Sequence, residues 1–146
     1  MTAPFLFEVH TLYRLFFSGR VESITLTLSD GEIGVYANHS FFTAPVLSCI
    51  LRIRDVGGVP RSAFVTGGIL EVKKHKTVLM VDAAEWPEEI DRDRAMLARE
   101  NAEREIGQAT TRFGIENARA RLRRAEFRLK AQGLNQGSRR QDTCRE

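Results

Sequence analysis

The sequence predicts an α+β protein, an N-terminal antiparallel β-sandwich followed by a C-terminal antiparallel two-helix hairpin. Three observations carry this. Ile24, Leu26 and Leu28 alternate with Ser23, Thr25, Thr27 and Ser29, the period of a half-buried strand. Short runs of this kind recur through the first half, separated by glycine-containing turns and with no helical pattern between them. After Pro87 the period changes, and Ile115, Ala118, Leu122, Ala125 and Leu129 recur at helical spacings of three and four.

The elements follow in order. Phe5, Phe7 and Val9 alternate with Leu6, Glu8 and His10 in a first strand. The Ser23–Ser29 strand carries β-branched threonines on its wet face, which suits a pleated surface. Asp30-Gly31 is a hairpin turn, because glycine accepts positive φ. Ile33, Val35 and Ala37 continue the sheet until a turn at Asn38-His39-Ser40. A strand over Ser48–Asp55 ends at Gly57-Gly58. Ser62–Thr66 is expected to pair with Ile69–Val72 across Gly67-Gly68, and the basic turn Lys73-Lys74-His75-Lys76 leads to a last strand, Thr77–Asp82.

Pro87 is tolerated in a first helical turn, and Glu88, Glu89 and Asp91 place negative charge near the positive end of the helix dipole. Ile90, Ala95, Ala98, Ala102 and Ile106 make a narrow apolar stripe, and Gly107 and Gly114 bracket the connection to the second helix. An alanine seam permits close approach but buries little area, so the hairpin is expected to be the weaker part. The expected organisation is a sandwich over 1–86, a hairpin over 87–132 and a disordered polar tail over 133–146.

The chain has 146 residues and a formal net charge of +3. Residues 1–86 hold eight basic and eight acidic residues; the other fourteen basic and eleven acidic residues follow, so the excess lies in the second half. Such a bias suits an anionic ligand, nucleic acid or an acidic protein surface. A nucleic-acid module would need a stacking platform that the basic helix lacks. The two cysteines, Cys49 and Cys144, form no C-x-x-C, which argues against a zinc ribbon or a redox pair. No segment has the length of a transmembrane helix, and the apolar start, broken by Glu8, His10 and Arg14, lacks the basic opening of a signal peptide.

No catalytic or metal constellation is expected. His10, His39 and His75 are scattered, and Asp30-Gly31-Glu32-Ile33-Gly34 lacks the lysine and following helix of a phosphate loop. A small enzyme built on Glu85, Asp91 and His39 would need those groups to converge, and the sequence gives no sign of it. Asp91 and Arg94, three apart, lie on one helix face. They read as a surface pair beside the helix start, or as contacts to a ribose and a phosphate. Arg119, Arg121, Arg123, Arg124 and Arg128 crowd the second helix, where Glu116 and Glu126 are the only acids. They form either a solvated face or a surface for phosphate or carboxylate.

Several segments, in this order and spacing, resemble the epsilon subunit of the rotary F-type ATP synthase of bacteria and plastids. They are Phe17-Ser18-Gly19 leading to Val21-Glu22-Ser23-Ile24; Asp30-Gly31-Glu32-Ile33-Gly34-Val35 with Asn38-His39; Phe64-Val65-Thr66-Gly67-Gly68-Ile69-Leu70-Glu71-Val72; and Ala84-Glu85-Trp86-Pro87-Glu88-Glu89-Ile90-Asp91 through Arg94-Ala95. The resemblance spans Phe5 to about Lys130. It implies a non-catalytic central-stalk subunit with no active site of its own. Such a subunit couples proton flow to ATP synthesis and restrains ATP hydrolysis through its C-terminal helices.

The resemblance further implies binding of the sandwich to the gamma stalk and the c-subunit ring, with Asp30, Gly31 and Glu32 facing the ring. The family's Pro-Gly before this turn is absent here, where Thr27-Leu28-Ser29 precedes Asp30. It implies contact of Arg119, Arg121, Arg123, Arg124 and Arg128 with the alpha and beta subunits, and attachment to the cytoplasmic side of the bacterial cell membrane only through the complex. No cofactor is implied beyond regulatory ATP. The family's I-D-x-x-R-A motif is matched by Ile90, Asp91, Arg94 and Ala95, and Glu85, Arg124 and Arg128 match further ATP-site positions. A family arginine of the first helix is replaced by Asn101, which removes a phosphate contact and implies weak ATP binding.

Overall fold

The computed structural model describes the backbone of residues 3–142 and side chains through Leu134. It divides into two compact units, Met1–Ala84 and Glu85–Glu146. The first unit holds strands β1 (Phe5–His10), β2 (Leu15–Leu28), β3 (Gly31–Tyr36), β4 (Phe42–Val46), β5 (Cys49–Asp55), β6 (Pro60–Val65), β7 (Gly68–Val72) and β8 (Lys76–Val81). A two-residue strand β9, Ala84–Glu85, marks the junction.

β2 is long enough to serve both layers. Its first half pairs antiparallel with β1, from Phe5 opposite Val21 to His10 opposite Leu15. Its second half pairs with β3 and with β5. One layer continues through β5 to β6, and the other runs from β1 through β8 and β7 to β4. The ladders are antiparallel as expected, except that β1 and β8 run parallel, Leu6 opposite Lys76 to His10 opposite Met80. The alternating residues meet in the core: Phe7, Val9, Val21, Ile24, Leu26, Val35, Leu51, Ile53, Phe64, Leu70 and Leu79 are all fully buried or nearly so.

The expected β6–β7 hairpin does not form. β6 pairs with β5, whereas β7 pairs with β4 and β8, so the chain crosses from one layer to the other at Gly67-Gly68. Neither glycine has positive φ. They are there for clearance: a Cβ on Gly67 would sit 3.1 Å from the Val46 carbonyl oxygen, and one on Gly68 would overlap that of Met80. Thr66 fixes the crossing, its N–H donating to the Ala83 carbonyl at 3.0 Å while its Oγ1 accepts the Ala83 N–H at 3.0 Å. The turns at Gly31 (φ +128°) and Gly57-Gly58 (φ +107° and +78°) do use glycine's left-handed freedom.

On the parallel seam, Glu8 Oε2 accepts from Lys76 Nζ at 2.9 Å and contacts His10 Nε2 at 3.0 Å. The hydrogen bond from Lys76, then that from His10, hold the Glu8 carboxyl below its ordinary range, against an opposing effect of burial. The sign follows from linkage. A depressed carboxylate contributes stability that is complete above the unfolded value of about 4.3 and is lost as pH falls through the lower folded value. Glu8→Gln is therefore expected to lower the denaturant midpoint at neutral pH, with the gap to the parent closing in acid. Urea titrations of both proteins across that range check it.

The second unit opens with a 3₁₀ turn, Pro87–Glu89, followed by α1 (Arg92–Gln108) and α2 (Arg112–Asp142). The α-helix thus starts later than Pro87 suggests: proline occupies the 3₁₀ turn, and Asp91 is the true N-cap. The seam is nearly all alanine, with Ala95, Ala102, Ala118, Ala125 and Ala131 buried, whereas Ala98 of the expected stripe is exposed. A large buried aliphatic side chain contributes about 1.5–3 kcal/mol, an alanine methyl well under half of that. Helix α2 continues through Gly133 to Asp142, where the sequence suggested a disordered tail; residues 143–146 lie outside the described residues.

Candidate functional site

The start of the hairpin encloses a cavity of about 320 Å³ lined by Glu85, Glu89, Ile90, Asp91, Arg94, Ala95, Ala98 and Arg128. The N-cap places the motif residues. Asp91 Oδ1 accepts the Arg94 backbone N–H at 3.2 Å, which satisfies one of the unpaired donors of the first helical turn. Asp91 therefore acts on the backbone and does not pair with the Arg94 side chain as a helix-face neighbour. Asp91→Ala is expected to cost about 1 kcal/mol of hairpin stability. Faster amide exchange in the first turn of α1, with the sandwich amides unchanged, checks this.

Arg128 enters from α2, its Nε donating to Glu85 Oε1 at 3.1 Å, with side chains 30% and 27% exposed. Four of the five expected site residues, Glu85, Asp91, Arg94 and Arg128, thus share one cavity. Arg124 is exposed and does not line it, and Asn101 is exposed on α1 away from the lining. Glu89 and Ala98 line the cavity as well. Glu89 had read only as a partner of the helix dipole and Ala98 only as seam. Among the lining residues, three carboxylates face two guanidinium groups.

The arginine face of α2 is partly compensated, from α1 and from a ring of α2 itself. Arg121 Nη1 donates to Glu105 Oε2 of α1 at 2.7 Å, and Arg123 stacks over the Phe127 ring at 5.3 Å. Arg119 and Arg124 are exposed. In the sandwich, Asp30, Gly31 and Glu32 sit together at the exposed β2–β3 turn, and Glu32 Oε1 lies 3.5 Å from Arg52 Nη1. Among the described residues, no group of three or more His, Cys, Asp or Glu is placed to hold a metal ion. No helix of the described residues is long and apolar enough to cross a membrane.

A sandwich joined to an alanine-seamed hairpin is the two-domain layout of a known class of rotary-motor subunit. Residues 4–87 match the beta-sandwich domain of the ATP synthase delta/epsilon chain, and residues 88–133 match its long alpha-helix domain. The chain belongs to the ATP synthase delta/epsilon chain family. It is 47% identical over 128 residues to an ATP synthase epsilon chain of Caldicellulosiruptor bescii, covering 88% of this chain and 93% of the relative. It is 40% identical over 131 residues to that of Caldanaerobacter subterraneus, covering 89% and 94%. Its fold is similar to a chain of the Euglena gracilis mitochondrial ATP synthase OSCP/F1/c-ring structure, with a TM-score of 0.75 at 22% identity, covering 86% of this chain and 79% of that one.

Proposed function

We propose that this chain is the non-catalytic central-stalk subunit of a proton-translocating F-type ATP synthase. It couples rotation of the membrane ring to ATP synthesis and restrains ATP hydrolysis through its C-terminal helices. The observation that carries this is the family match across both units, with relatives named ATP synthase epsilon chain covered over nearly their whole length. A structural neighbour at 18% identity comes from the central stalk and c-ring of Tetrahymena thermophila ATP synthase. The sandwich, whose core side chains are large and fully buried, is suited to transmit torque through fitted contacts.

In this reading the exposed turn of Asp30, Gly31 and Glu32 meets the c-subunit ring, and other sandwich surface meets gamma. The chain is then peripheral on the cytoplasmic side of the cell membrane, held there by the complex. Arg119, Arg121, Arg123, Arg124 and Arg128 meet acidic surface of the alpha and beta subunits when the hairpin opens. Arg121 and Arg128 must first leave Glu105 and Glu85. That exchange of one carboxylate for another offsets part of the cost of opening.

The hairpin cavity is the site for regulatory ATP. Its volume is at the small end of the range for ligand pockets, roughly 300–1,000 Å³. Arg94 and Arg128 would take phosphate oxygens, and Asp91 or Glu89 a ribose hydroxyl. Glu85 already holds Arg128, and the surplus carboxylate opposes a triphosphate, so affinity is weak. Detergent extraction of the native membranes and capture of the tagged chain tests the whole reading. Recovery of gamma, alpha, beta and c subunits is expected. Recovery of none of them would leave the fold and discard the function.

A further inference from the structure

A second polar cavity, of about 350 Å³, lies on the outer face of the layer formed by β3, β2, β5 and β6, lined among others by Glu22, Ser23, Thr25, Tyr36, Arg52 and Arg54. Strand register builds it. Ser23 stands opposite both Tyr36 and Arg54, and Thr25 opposite both Gly34 and Arg52. Ile53 between the arginines is buried, so the two guanidinium groups leave β5 on the same side. The β2–β5 register shifts between Val21 and Ser23, a bulge that brings the consecutive residues Glu22 and Ser23 both to the cavity. Gly34 leaves the floor open, and Tyr36 leans over it, its ring 3.4 Å from where a Cβ would stand.

We propose that this cavity binds a phosphoryl group, supplied by inorganic phosphate or by a small phosphate ester. Two arginines two residues apart on one strand present planar donor forks, the geometry that matches phosphate oxygens. The hydroxyls of Ser23, Thr25 and Tyr36 add donors from the neighbouring strands. Glu32 engages one edge of Arg52 at 3.5 Å, and Arg54 has no ion pair among the described residues. Glu22 sets the choice of ligand. Its carboxylate opposes a bare anion but accepts from a hydroxyl or amine carried beside the phosphate. The Tyr36 ring, half exposed, offers a face for a base. A nucleoside monophosphate is therefore expected to bind more tightly than inorganic phosphate.

The test is amide chemical-shift titration of the labelled full-length chain with AMP and, separately, with inorganic phosphate, up to about millimolar concentrations where weak sites fill. Saturable shifts are expected at residues 22–25, 34–36 and 52–54. The exposed double variant R52A/R54A should weaken both ligands by roughly tenfold or more, because each fork is a charge-assisted contact. E22Q should strengthen phosphate and weaken AMP. No shifts in those segments, shifts confined to residues 85–98 of the hairpin, or shifts that survive in R52A/R54A would each overturn the proposal. Because the chain is titrated alone, none of these outcomes depends on its place in the ATP synthase.

Discussion

Removing Gly107 to Glu146 is expected to raise ATP hydrolysis by the assembled complex on the order of fivefold or more, while the complex still assembles. The physical reason is the division of labour between the two units. The sandwich keeps its own buried core of Phe7, Ile24, Leu51, Phe64 and Leu79 after the cut. The hairpin loses α2 and with it the arginine face that would hold the alpha and beta subunits. An inhibitory contact of that kind is a coupling free energy between two conformations, typically about 1–3 kcal/mol, and its loss appears as a rate increase of the corresponding factor. Hydrolysis by purified complex, alongside a subunit inventory of the same preparation, makes the measurement. Full assembly with no rise in hydrolysis would end the inhibitory role for this chain.

The same arrangement bounds what the proposed ATP ligand could do. A ligand moves the hairpin only by the difference between its affinities for the folded and open forms. The folded form has the cavity of Glu85, Asp91, Arg94 and Arg128 assembled. Opening would separate Arg128, on α2, from Asp91 and Arg94 at the start of α1. Even a weak ligand of this cavity therefore distinguishes the two forms, and the surplus of carboxylates limits how far it can shift them.

What the sequence made legible was whatever is local in the chain. Alternation placed the core faces of β1, β2 and β3, and the spacing of Ile115, Ala118, Leu122, Ala125 and Leu129 placed the seam of α2, because both are periods within one element. Strand β4 is absent from the expectations drawn from sequence, which place no element between the Asn38-His39-Ser40 turn and Ser48. Pro45 stands opposite Ile69 in the β4–β7 ladder, and on its other side β4 meets β2 only through Val46 opposite Leu28, a nearly unpaired edge of the kind where proline is found. Contacts distant in sequence were equally hidden. Arg128 looked uncompensated because its partner Glu85 is 43 residues away, and Arg121 because Glu105 lies on the other helix. Spacing on one helix face picked out Asp91 and Arg94, resemblance added Glu85 and Arg128, and only the fold showed that Asp91 caps α1 and that Arg124 stands outside.

Gly68→Ala is expected to be among the most destabilising single substitutions in the sandwich, and it separates two readings of the Gly67-Gly68 pair. A hairpin turn would use glycine for positive φ, and alanine would then cost roughly 1 kcal/mol. Here both glycines have ordinary φ, and the limit at Gly68 is space. The new methyl would overlap the Met80 carbonyl and lie 2.8 Å from Val81 Cγ1. The obstacle at Met80 is backbone of the paired strand, opposite Ile69 and next to Val81 opposite Gly68, so no side-chain rotation relieves it. β8 must shift, and β8 is also the parallel partner of β1, so the disturbance reaches the seam that holds the N-terminal strand. Overpacking of this kind costs about 1–3 kcal/mol where side chains can yield, and a backbone clash belongs at or above the top of that range. For a domain of this size that corresponds to a loss of more than about 10 °C in Tm. Gly67→Ala, whose methyl would stand 3.1 Å from the Val46 carbonyl, needs only a few tenths of an ångström of adjustment and should cost clearly less. Thermal melts of the two variants side by side decide the matter. Equal and small losses would restore the turn reading, whereas a large loss at Gly68 alone fixes it as the point where the crossing chain enters its layer close against the backbone of β8.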